Sequence, residues 1–436
     1  MDRKIKELVH SLKNKLIERR RDFHKHAEVA WTEFRTAAIV ADTLTTLGYK
    51  VLVGDETVAT EAIMGEPAAD VLKQHMERAI AQGASPEWVA KMAGGKTGVV
   101  GILTFPKPGP TVALRFDMDA NDAIEAEETT HRPFKEGFAS VNRGAMHACG
   151  HDGHTAVGLA VAEVLSTCKF ELAGTVKLIF QPAEEGVRGA RAMMEKGVVD
   201  DVDVLIGMHL GFNTNKTGQL ACQIDGFLAT TKLDAIFTGV ASHAGAAPEA
   251  GRNALLAAAS AALNLHAIPR HSKGPSRINV GQLQAGTGRN VVPANAVLKL
   301  ETRGTTSVIN EFMFTESIRV IKAAADMYGV SVELKEMGGA AGAESDRSLV
   351  DSLEATGRRM GIFEEIIPRC YFGASEDCTY FMERVQQRGG RAAYIMIGAD
   401  IAAGHHDLRF DFDESALSKA AEFIATATVD LLTSQK

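Results

Sequence analysis

The 436-residue sequence lacks any apolar run long enough for a signal peptide or a membrane span, and its start, MDRKIKELVHSLKNKL, is charged every few positions. Its five cysteines, an odd number at scattered positions, do not form a secreted disulfide framework, so we expect reduced thiols. No basic stripe accompanies the net charge of -8, which argues against nucleic acid as the main partner. These absences predict a soluble cytoplasmic protein that acts on small molecules.

The hydrophobic content of 45% is ample for a large core, and the length exceeds what one core usually organises, so we expect two domains. Residues 2–47 show helical spacing up to Gly48, and a helical insertion is expected at about 55–97. Beyond it, GVVGILTF and TVALRF flank the turn PKPGP and predict a hairpin of buried strands.

The rest of the outer domain alternates apolar strands with helices. GHTAVGLAVAEVLSTC and GARAMMEKG predict helices, TVKLIFQ, DVLIGMH and AAYIMIG predict buried strands, and a last helix is expected from Glu414. Such alternation is typical of an α/β fold with a mainly parallel sheet flanked by helices.

Residues 225–337 do not continue the alternation of single strands and helices. Their pattern predicts the order βαββαβ, which is the ferredoxin-like unit. We therefore expect this segment to be a domain inserted into a discontinuous catalytic domain made of residues 1–224 and 338–436.

Chemically active residues follow the predicted parallel strands. They are Asp117 and Asp119 after TVALRF, Glu184 and Glu185 after TVKLIFQPA, His209 at the end of DVLIGMH, and His405 and His406 after AAYIMIG. The stretch MHACGHDGH at 146–154 adds three histidines, a cysteine and an aspartate. Since ligands bind beyond the carboxyl ends of strands in open parallel sheets, these side chains are expected to share one rim.

Three interpretations of Cys149 are open. Thiolate, imidazole and carboxylate together suit a zinc- or manganese-type ion, with one carboxylate as ligand and its neighbour as general base. Alternatively, Cys149 is a nucleophile with His151 or His147 as its base, or an inert buried cysteine. We favour the metal site, because a nucleophile leaves Glu184, Glu185, His209 and His406 without a role.

Nine motifs in this order resemble a known family. They are RRDFHKHAE, RFDMDA, MHACGHDGHTA, FQPAEEG, MH at 208–209, SHAG, GRNVVPANA, SED and GHHDLRFDFDE. The chain resembles the metal-dependent amidohydrolases that include aminoacylases, hippurate hydrolases and plant auxin-conjugate hydrolases. The 146–154 loop, the helical insertion and RFDMDAND are most similar to the A-type branch of the p-aminobenzoyl-glutamate hydrolases.

The resemblance implies two divalent metal ions, Mn²⁺ or Zn²⁺, and assigns the site residue by residue. The implied metal ligands are Cys149, His151, Glu185, His209 and His406, where His406 is preferred to His405 because the family's ligand precedes an aromatic residue, here Phe410, by four positions. Glu184 is implied as the catalytic base and His243 as the residue that stabilises the oxyanion. Asp117 and Asp119 are expected to orient ligands from behind, and Arg289 with Asn290 to bind the substrate carboxylate.

The implied reaction is hydrolysis of an N-acyl or aroyl amino acid by a metal-activated water. The leading substrate is p-aminobenzoyl-glutamate, which yields p-aminobenzoate and glutamate. The inserted domain is expected to act as a lid that also mediates dimerisation, either with a second copy or with a related B-type chain. A general aminoacylase or hippurate-type hydrolase, and a non-catalytic partner subunit of a heteromeric hydrolase, are the alternatives.

Overall fold

The alternating strands and helices of the sequence are distributed over two units of the chain. A computed structural model describes residues 1–433. The first unit comprises residues 1–225, residues 343–372 and the described part of 377–436, and the second comprises 226–342 with 373–376. The first unit thus contains the start and the end of the described chain, and each unit has its own apolar core.

The helices, in chain order, are α1 (Asp2–Lys25), α2 (Phe34–Thr46), α3 (Ala69–Ala81), α4 (Pro86–Lys91), α5 (Arg132–Glu136), α6 (His151–Thr167), α7 (Ala190–Glu195), α8 (Ala254–His266), α9 (Ser307–Tyr328), α10 (Arg347–Met360), α11 (Cys378–Gln387) and α12 (Ser415–Thr433). Helices α8 and α9 belong to the second unit. Among the described residues, no helix combines the length and apolar character needed to cross a membrane.

The strands are β1 (Lys50–Val53), β2 (Val99–Thr104), β3 (Lys107–Asp117), β4 (Ala173–Gln181), β5 (Val204–Leu210), β6 (Gln219–Ala221), β7 (Ile224–Asp225), β8 (Ala229–Thr238), β9 (Ser276–Ala285), β10 (Asn295–Gly304), β11 (Ser331–Ala340), β12 (Glu365–Ile367), β13 (Cys370–Tyr371) and β14 (Arg391–Ile397). The large sheet has the order β1-β2-β4-β3-β5-β14-β6-β12. Its centre, β4-β3-β5-β14, is parallel throughout. The predicted mainly parallel sheet flanked by helices is confirmed.

Helix α6 lies directly on this parallel centre. Nearly all of its residues are buried, which explains why its sequence is apolar and small on every side. A Cβ added at Gly158 would lie 2.7 Å from Phe116 of β3 and 2.8 Å from Phe180 of β4. Glycine therefore brings the helix close to the sheet, and the residues before α6 come close to the strand ends.

The predicted hairpin of β2 and β3 is wrong. Strand β4 lies between them, pairing antiparallel with β2 and parallel with β3. Both segments are apolar on both faces, so the pattern indicates burial but carries no information on which strand is the hydrogen-bonded neighbour. Proximity along the chain favoured the hairpin, whereas the native pairing comes from a strand more than fifty positions further on.

The helical region 2–47 is divided into α1 and α2 by residues 26–33, and the region 55–97 contains α3 and α4. Leu72, Ala79 and Val89 of α3 and α4 are buried in the first unit's core. The insertion is thus packed into the first unit rather than projecting from it.

The second unit has the element order β8-α8-β9-β10-α9-β11, which confirms the predicted βαββαβ pattern. Its antiparallel sheet has the order β11-β8-β10-β9, the ferredoxin-like arrangement. Helices α8 and α9 cover one face, where alanines of α8 and Leu298 of β10 are fully buried.

Candidate metal centre

The carboxyl ends of β4, β3, β5 and β14 meet at one edge of the large sheet, because these neighbouring strands are parallel. The segment that precedes α6 reaches the same edge. Side chains from these five places come together there: Asp117 and Asp119, Glu184 and Glu185, His209, His405 and His406, and Cys149 with His151. The edge predicted from the sequence therefore exists as a cluster of side chains.

Cys149, His151 and His209 form its buried part. Each offers one ligand atom, and these atoms lie within 4.8 Å of one another. Cys149 Sγ is 3.5 Å from His209 Nε2. The exposed fraction is only 6%, 1% and 3%, respectively, so bulk water does not solvate this group.

Glu185 and His406 form a second group with the same Cys149, again with ligand atoms within 4.8 Å. His406 Nε2 lies 3.4 Å from Glu185 Oε1. A third group joins His151 to Glu184 and Glu185. The five side chains expected to be ligands thus lie in overlapping groups, with Glu184 beside them.

The donors fit divalent cations. His151 Nε2 is buried without a hydrogen-bond partner in the described chain, and its nearest carboxylate oxygens, on Asp117 and Glu184, are 3.8 and 3.9 Å away. Glu185 Oε1 is likewise buried and forms no hydrogen bond with the described residues, and its contact with His406 Nε2 at 3.4 Å is one between two candidate ligands. Because buried polar atoms are rarely left unpaired, two such atoms in a cluster of imidazole, thiol and carboxylate indicate a place for a cation.

The same surroundings oppose the alternative of a thiol nucleophile. Burial raises the pKa of the Cys149 thiol far above its ordinary value. Since the thiolate is the reactive form, a free Cys149 is a poor nucleophile in this environment. Burial also lowers the pKa of His209 well below its ordinary value, which keeps its imidazole neutral, the form that binds metals.

Asp119 positions three residues of the cluster through hydrogen bonds. Its two carboxylate oxygens accept the backbone N–H groups of Glu184 and Glu185 at 3.0 and 2.8 Å, and its carbonyl oxygen lies 2.9 Å from His151 Nδ1. The last contact directs Nε2 of that ring, the unpartnered atom, toward the cluster. Asp117 is fully buried and pairs with Arg115 at 2.6 Å.

The loop 182–190, which carries the acidic pair, is held by two further carboxylates to which the sequence analysis assigns no role. Glu33 accepts the N–H of Ala183 at 2.9 Å, and Asp377 accepts those of Gly189 and Ala190 at 3.0 and 2.9 Å. Ala183 has φ +53° and Val187 has φ +58°, so the loop is strained and depends on these anchors. Asp377 is the last residue of the motif SED, whereas Glu33 lies outside the nine motifs.

Two histidines without a predicted role also belong to the cluster's surroundings. His154 lies within hydrogen-bond distance of Asp117 through Nδ1, and its Nε2 accepts the N–H of Leu210 at 2.9 Å. His405 lies 3.6 Å from Cys149 Sγ through Nδ1, and its Nε2 accepts the N–H of Phe212 at 2.7 Å. Both rings are therefore oriented by the backbone that surrounds His209.

A buried ion network lies next to the start of α6. Arg20 is fully buried and pairs with Asp152 at 2.7 Å and with Asp411 at 2.9 Å. His24 lies between two carboxylates, 2.8 Å from Asp152 and 2.9 Å from Glu125. The network joins α1 to the segment before α12 that follows His406, and it includes Arg20 and His24 of the motif RRDFHKHAE.

The remaining predicted residues lie in the second unit. His243, Arg289 and Asn290 are exposed and occupy two loops that are hydrogen bonded to each other, with Ala244 N–H donating to the Asn290 carbonyl at 2.9 Å. His243 Nδ1 accepts two backbone N–H groups at 3.2 and 3.1 Å. In the neutral ring the proton therefore sits on Nε2, which leaves an N–H available as a donor.

Comparisons with known proteins support the resemblance to the amidohydrolases. The chain is 50% identical to the A chain of p-aminobenzoyl-glutamate hydrolase from Escherichia coli over 98% of each chain. It is also 50% identical to indole-3-acetyl-aspartic acid hydrolase of Enterobacter agglomerans, again over 98% of each chain. The crystal structure of an aminobenzoyl-glutamate utilization protein from Klebsiella pneumoniae matches with a TM-score of 0.85 and 43% identity over 97% of each chain.

A family model described as peptidase family M20/M25/M40 matches residues 113–430. This range starts in β3 and ends in α12, so it includes the four parallel strand ends, the cluster and the whole second unit. The chain is therefore a hydrolase that belongs to peptidase family M20/M25/M40.

Proposed function

We propose that the protein is a metal-dependent amidohydrolase that cleaves the amide bond of an N-aroyl amino acid, with p-aminobenzoyl-glutamate as the leading substrate. The observation that carries this proposal is the convergence of Cys149, His151 and His209 with the pair Glu184 and Glu185 at the strand ends. Full-length relatives named for aminobenzoyl-glutamate and indole-3-acetyl-aspartate support an aryl-bearing acyl group joined to an acidic amino acid.

The proposed ligands of two divalent ions, Mn²⁺ or Zn²⁺, are Cys149, His151, Glu185, His209 and His406. A bound ion of this type lowers the pKa of a coordinated water and polarises the substrate carbonyl. Cys149 supplies its sulfur in the deprotonated form, which a cation favours over the protonated form that burial favours. Asp117 and Asp119 orient the ligands, Asp119 through the hydrogen bonds described above.

Glu184 is the proposed general base. Its carboxylate oxygen lies 3.9 Å from His151 Nε2, beside the proposed ligands, and Asp119 holds its backbone N–H. The carboxylate takes a proton from the attacking water and returns it to the amine that leaves when the amide breaks. This role requires Glu184 to be ionised in the free enzyme and protonated after the attack.

The second unit, at about residues 225–337, is proposed to act as a lid and dimerisation domain. His243 of this domain would donate its Nε2–H to the oxyanion that forms at the amide carbon, reaching an active site that the family resemblance places in the other protomer of a dimer. Arg289 and Asn290 would bind the carboxylate of the amino acid, for which the arginine fork is well suited. The partner is a second copy or a related B-type chain, the latter suggested by relatives whose names describe one component of a multi-chain hydrolase.

The test is hydrolysis of p-aminobenzoyl-glutamate by the purified chain, first stripped of metal and then refilled with Mn²⁺ or Zn²⁺. Indole-3-acetyl-aspartate and hippurate serve as competing substrates, because a general aminoacylase would not prefer the glutamate conjugate. We expect activity to disappear with the metal and to return with one of the ions. Activity that survives metal removal but is lost on alkylation of thiols contradicts the proposal and favours Cys149 as a nucleophile.

If the purified chain shows no hydrolysis with either ion, the assay is repeated in the presence of candidate partner chains. If a partner restores activity, the variant Glu184→Gln then distinguishes a catalytic chain from a non-catalytic one. A catalytic chain requires Glu184, whereas restored activity that is indifferent to this substitution assigns the chemistry to the partner.

A further inference from the structure

Two aromatic rings with no role in metal binding lie beside the cluster. The ring of Phe212 is 5.7 Å from that of His209 and 5.3 Å from that of His405, measured between centroids. On its other side Phe212 stacks on Phe372, with centroids 4.6 Å apart and planes within 12° of parallel. Phe372 is buried and Phe212 is half-buried, so Phe372 supports a ring that is still partly accessible.

The backbone holds Phe212 in this position despite strain. Gly211 and Phe212 both have left-handed conformations, with φ of +70° and +63°. A bulky residue rarely adopts this conformation, and when it does so beside a reactive centre the surrounding contacts must hold it there. The contacts here are the hydrogen bond from Phe212 N–H to His405 Nε2 at 2.7 Å and that from Gly211 N–H to the Ile397 carbonyl at 2.9 Å.

The partner of the stacked pair is also fixed. Asn213, the residue after Phe212, donates from its side chain to the carbonyl oxygens of Tyr371 and Phe372 at 2.6 and 3.3 Å. This contact ties the turn after β5 to the segment that carries Phe372. The two rings are thus held together by polar contacts outside the stack as well as by the stack itself.

We propose that Phe212, supported by Phe372, forms the wall that binds the aromatic part of the substrate's acyl group. The inference rests on the proposed function and names the structural feature that selects an aroyl or aryl-acetyl group over a short aliphatic one. In such a substrate the ring is attached at or one carbon from the carbonyl under attack, so its binding surface has to adjoin the metal ligands. Phe212 adjoins His209 in this way.

The chemistry of the wall also fits an uncharged aromatic group. Aromatic rings prefer offset-stacked or edge-on contacts with one another, and such pairs add about 0.5–1.5 kcal/mol beyond the burial of apolar area. In this proposal the wall of Phe212 and Phe372 contacts only the acyl group, and other residues bind the amino-acid part of the substrate. We therefore expect discrimination between acyl groups to be separable from recognition of glutamate.

The experiment compares N-benzoyl-glutamate, p-aminobenzoyl-glutamate and N-acetyl-glutamate as substrates of the metal-loaded enzyme. The variants are Phe212→Ala, which removes the ring, and Phe212→Leu, which keeps apolar bulk without a π-face. Phe170→Ala is the matched control, because Phe170 is 77% exposed and lies beyond the opposite end of α6 from the cluster. Metal content and thermal unfolding are measured for each variant.

We expect Phe212→Ala to lower the ratio of kcat/KM for the aroyl substrates to kcat/KM for the acetyl substrate by about tenfold or more. Phe212→Leu should lower it less, and Phe170→Ala should leave it as in the wild type. Equal losses for aroyl and acetyl substrates in both Phe212 variants, with metal retained, would overturn the inference.

A binding measurement separates failure of this inference from failure of the proposed function. Equilibrium dialysis of p-aminobenzoate against the metal-free and metal-loaded proteins needs no turnover. Weaker binding in both Phe212 variants supports the wall even if none of the three amides is hydrolysed. Binding that is unchanged by the substitutions, or absent from the wild type, overturns it even if hydrolysis is observed.

Discussion

The metal cluster of the first unit and the paired loops of the second unit are built in opposite ways. Cys149, His151 and His209 are buried and come from separate parts of the sheet and its loops. His243 and Arg289 are exposed, and the loops that carry them are held by backbone hydrogen bonds to each other. One region is fixed by long-range side-chain contacts, and the other by short backbone contacts.

The difference indicates a division of labour. A metal site needs several donors at set distances, which buried and mutually hydrogen-bonded groups provide. Exposed loops provide groups that bind substrate when it arrives, and they contribute little to stability. We therefore expect substitutions in the cluster to change metal content or the chemical step, and substitutions in the loops to change kinetics while metal content stays constant.

The largest effect is expected for Glu184→Gln. Removing a general base should lower kcat by about 10²–10⁴-fold, while the proposed ligands remain in place. Elemental analysis measures the metal content of this variant and of Glu185→Gln. The Glu185→Gln variant should lose metal, because Glu185 is a proposed ligand. Metal loss in Glu184→Gln itself would show that this residue is a ligand rather than the base.

A smaller loss is expected for His243→Ala, in the exposed loop. If Nε2–H stabilises the oxyanion, kcat should fall by about 10²–10³-fold, with metal content and thermal stability as in the wild type. Mixing this variant with Glu184→Gln provides a further test. Activity regained in mixed dimers would indicate that His243 serves the partner's site, whereas activity close to wild type in His243→Ala alone would rule out the role.

Arg289→Ala should act on binding rather than on chemistry. Loss of a charged hydrogen bond of about 1.5–3 kcal/mol raises KM by about 10–100-fold and leaves kcat within a few fold. Arg277→Ala, an exposed arginine on β9 of the same unit, is the matched control. A fall in kcat with unchanged KM would place Arg289 in the chemical step instead.

The smallest effect on activity is expected for Glu125→Gln, which tests the ion network of the first unit. Burial opposes ionisation of Glu125, but hydrogen bonds from His131 and His24 outweigh it and lower its pKa to about 2, from an ordinary value of 4.5. A carboxyl whose pKa is depressed by folding stabilises the protein above its unfolded pKa, and this stabilisation is lost as the pH falls toward the folded pKa.

The variant should therefore be less stable than the wild type at pH 7 by about 1–3 kcal/mol, and the difference should shrink as the pH falls from 4.5 toward 2. Urea unfolding followed by tryptophan fluorescence is the measurement. Both tryptophans, Trp31 and Trp88, lie in the first unit, so the signal reports on that unit alone. A difference that does not vary with pH would mean that the network contributes packing but no charge-dependent stability.

Much of the fold could be predicted because the relevant signals are local. The apolar runs of β4, β5 and β14 and the helical period of α6 are visible in short windows. The pairing of β2 with β4 could not be predicted, since the sequence of an apolar strand does not specify which strand is its hydrogen-bonded neighbour. The short strands β6, β7, β12 and β13 were also missed, because two or three residues are too few to show a period.

The residues of the candidate site also differ in whether a local sequence signal predicts their roles. Glu184 and Glu185 could be singled out because an acidic pair directly follows a buried strand. The roles of Glu33 and of Asp377 in the motif SED could not be predicted, since these carboxylates accept backbone N–H groups from residues far away along the chain. The residues next to a carboxylate in the sequence do not indicate which distant loop will donate hydrogen bonds to it.

The sequence by itself determined the residue types available at the ends of the long parallel strands, the order of the longer helices and strands, and the family. Tertiary structure decided that β4 separates β2 from β3, that His405 contacts the sulfur of Cys149, and that Phe212 stands beside His209. The reason is that chemical identity and period are properties of neighbouring residues. Distances of a few ångströms between remote side chains arise only when the packed sheet brings separate strand ends together.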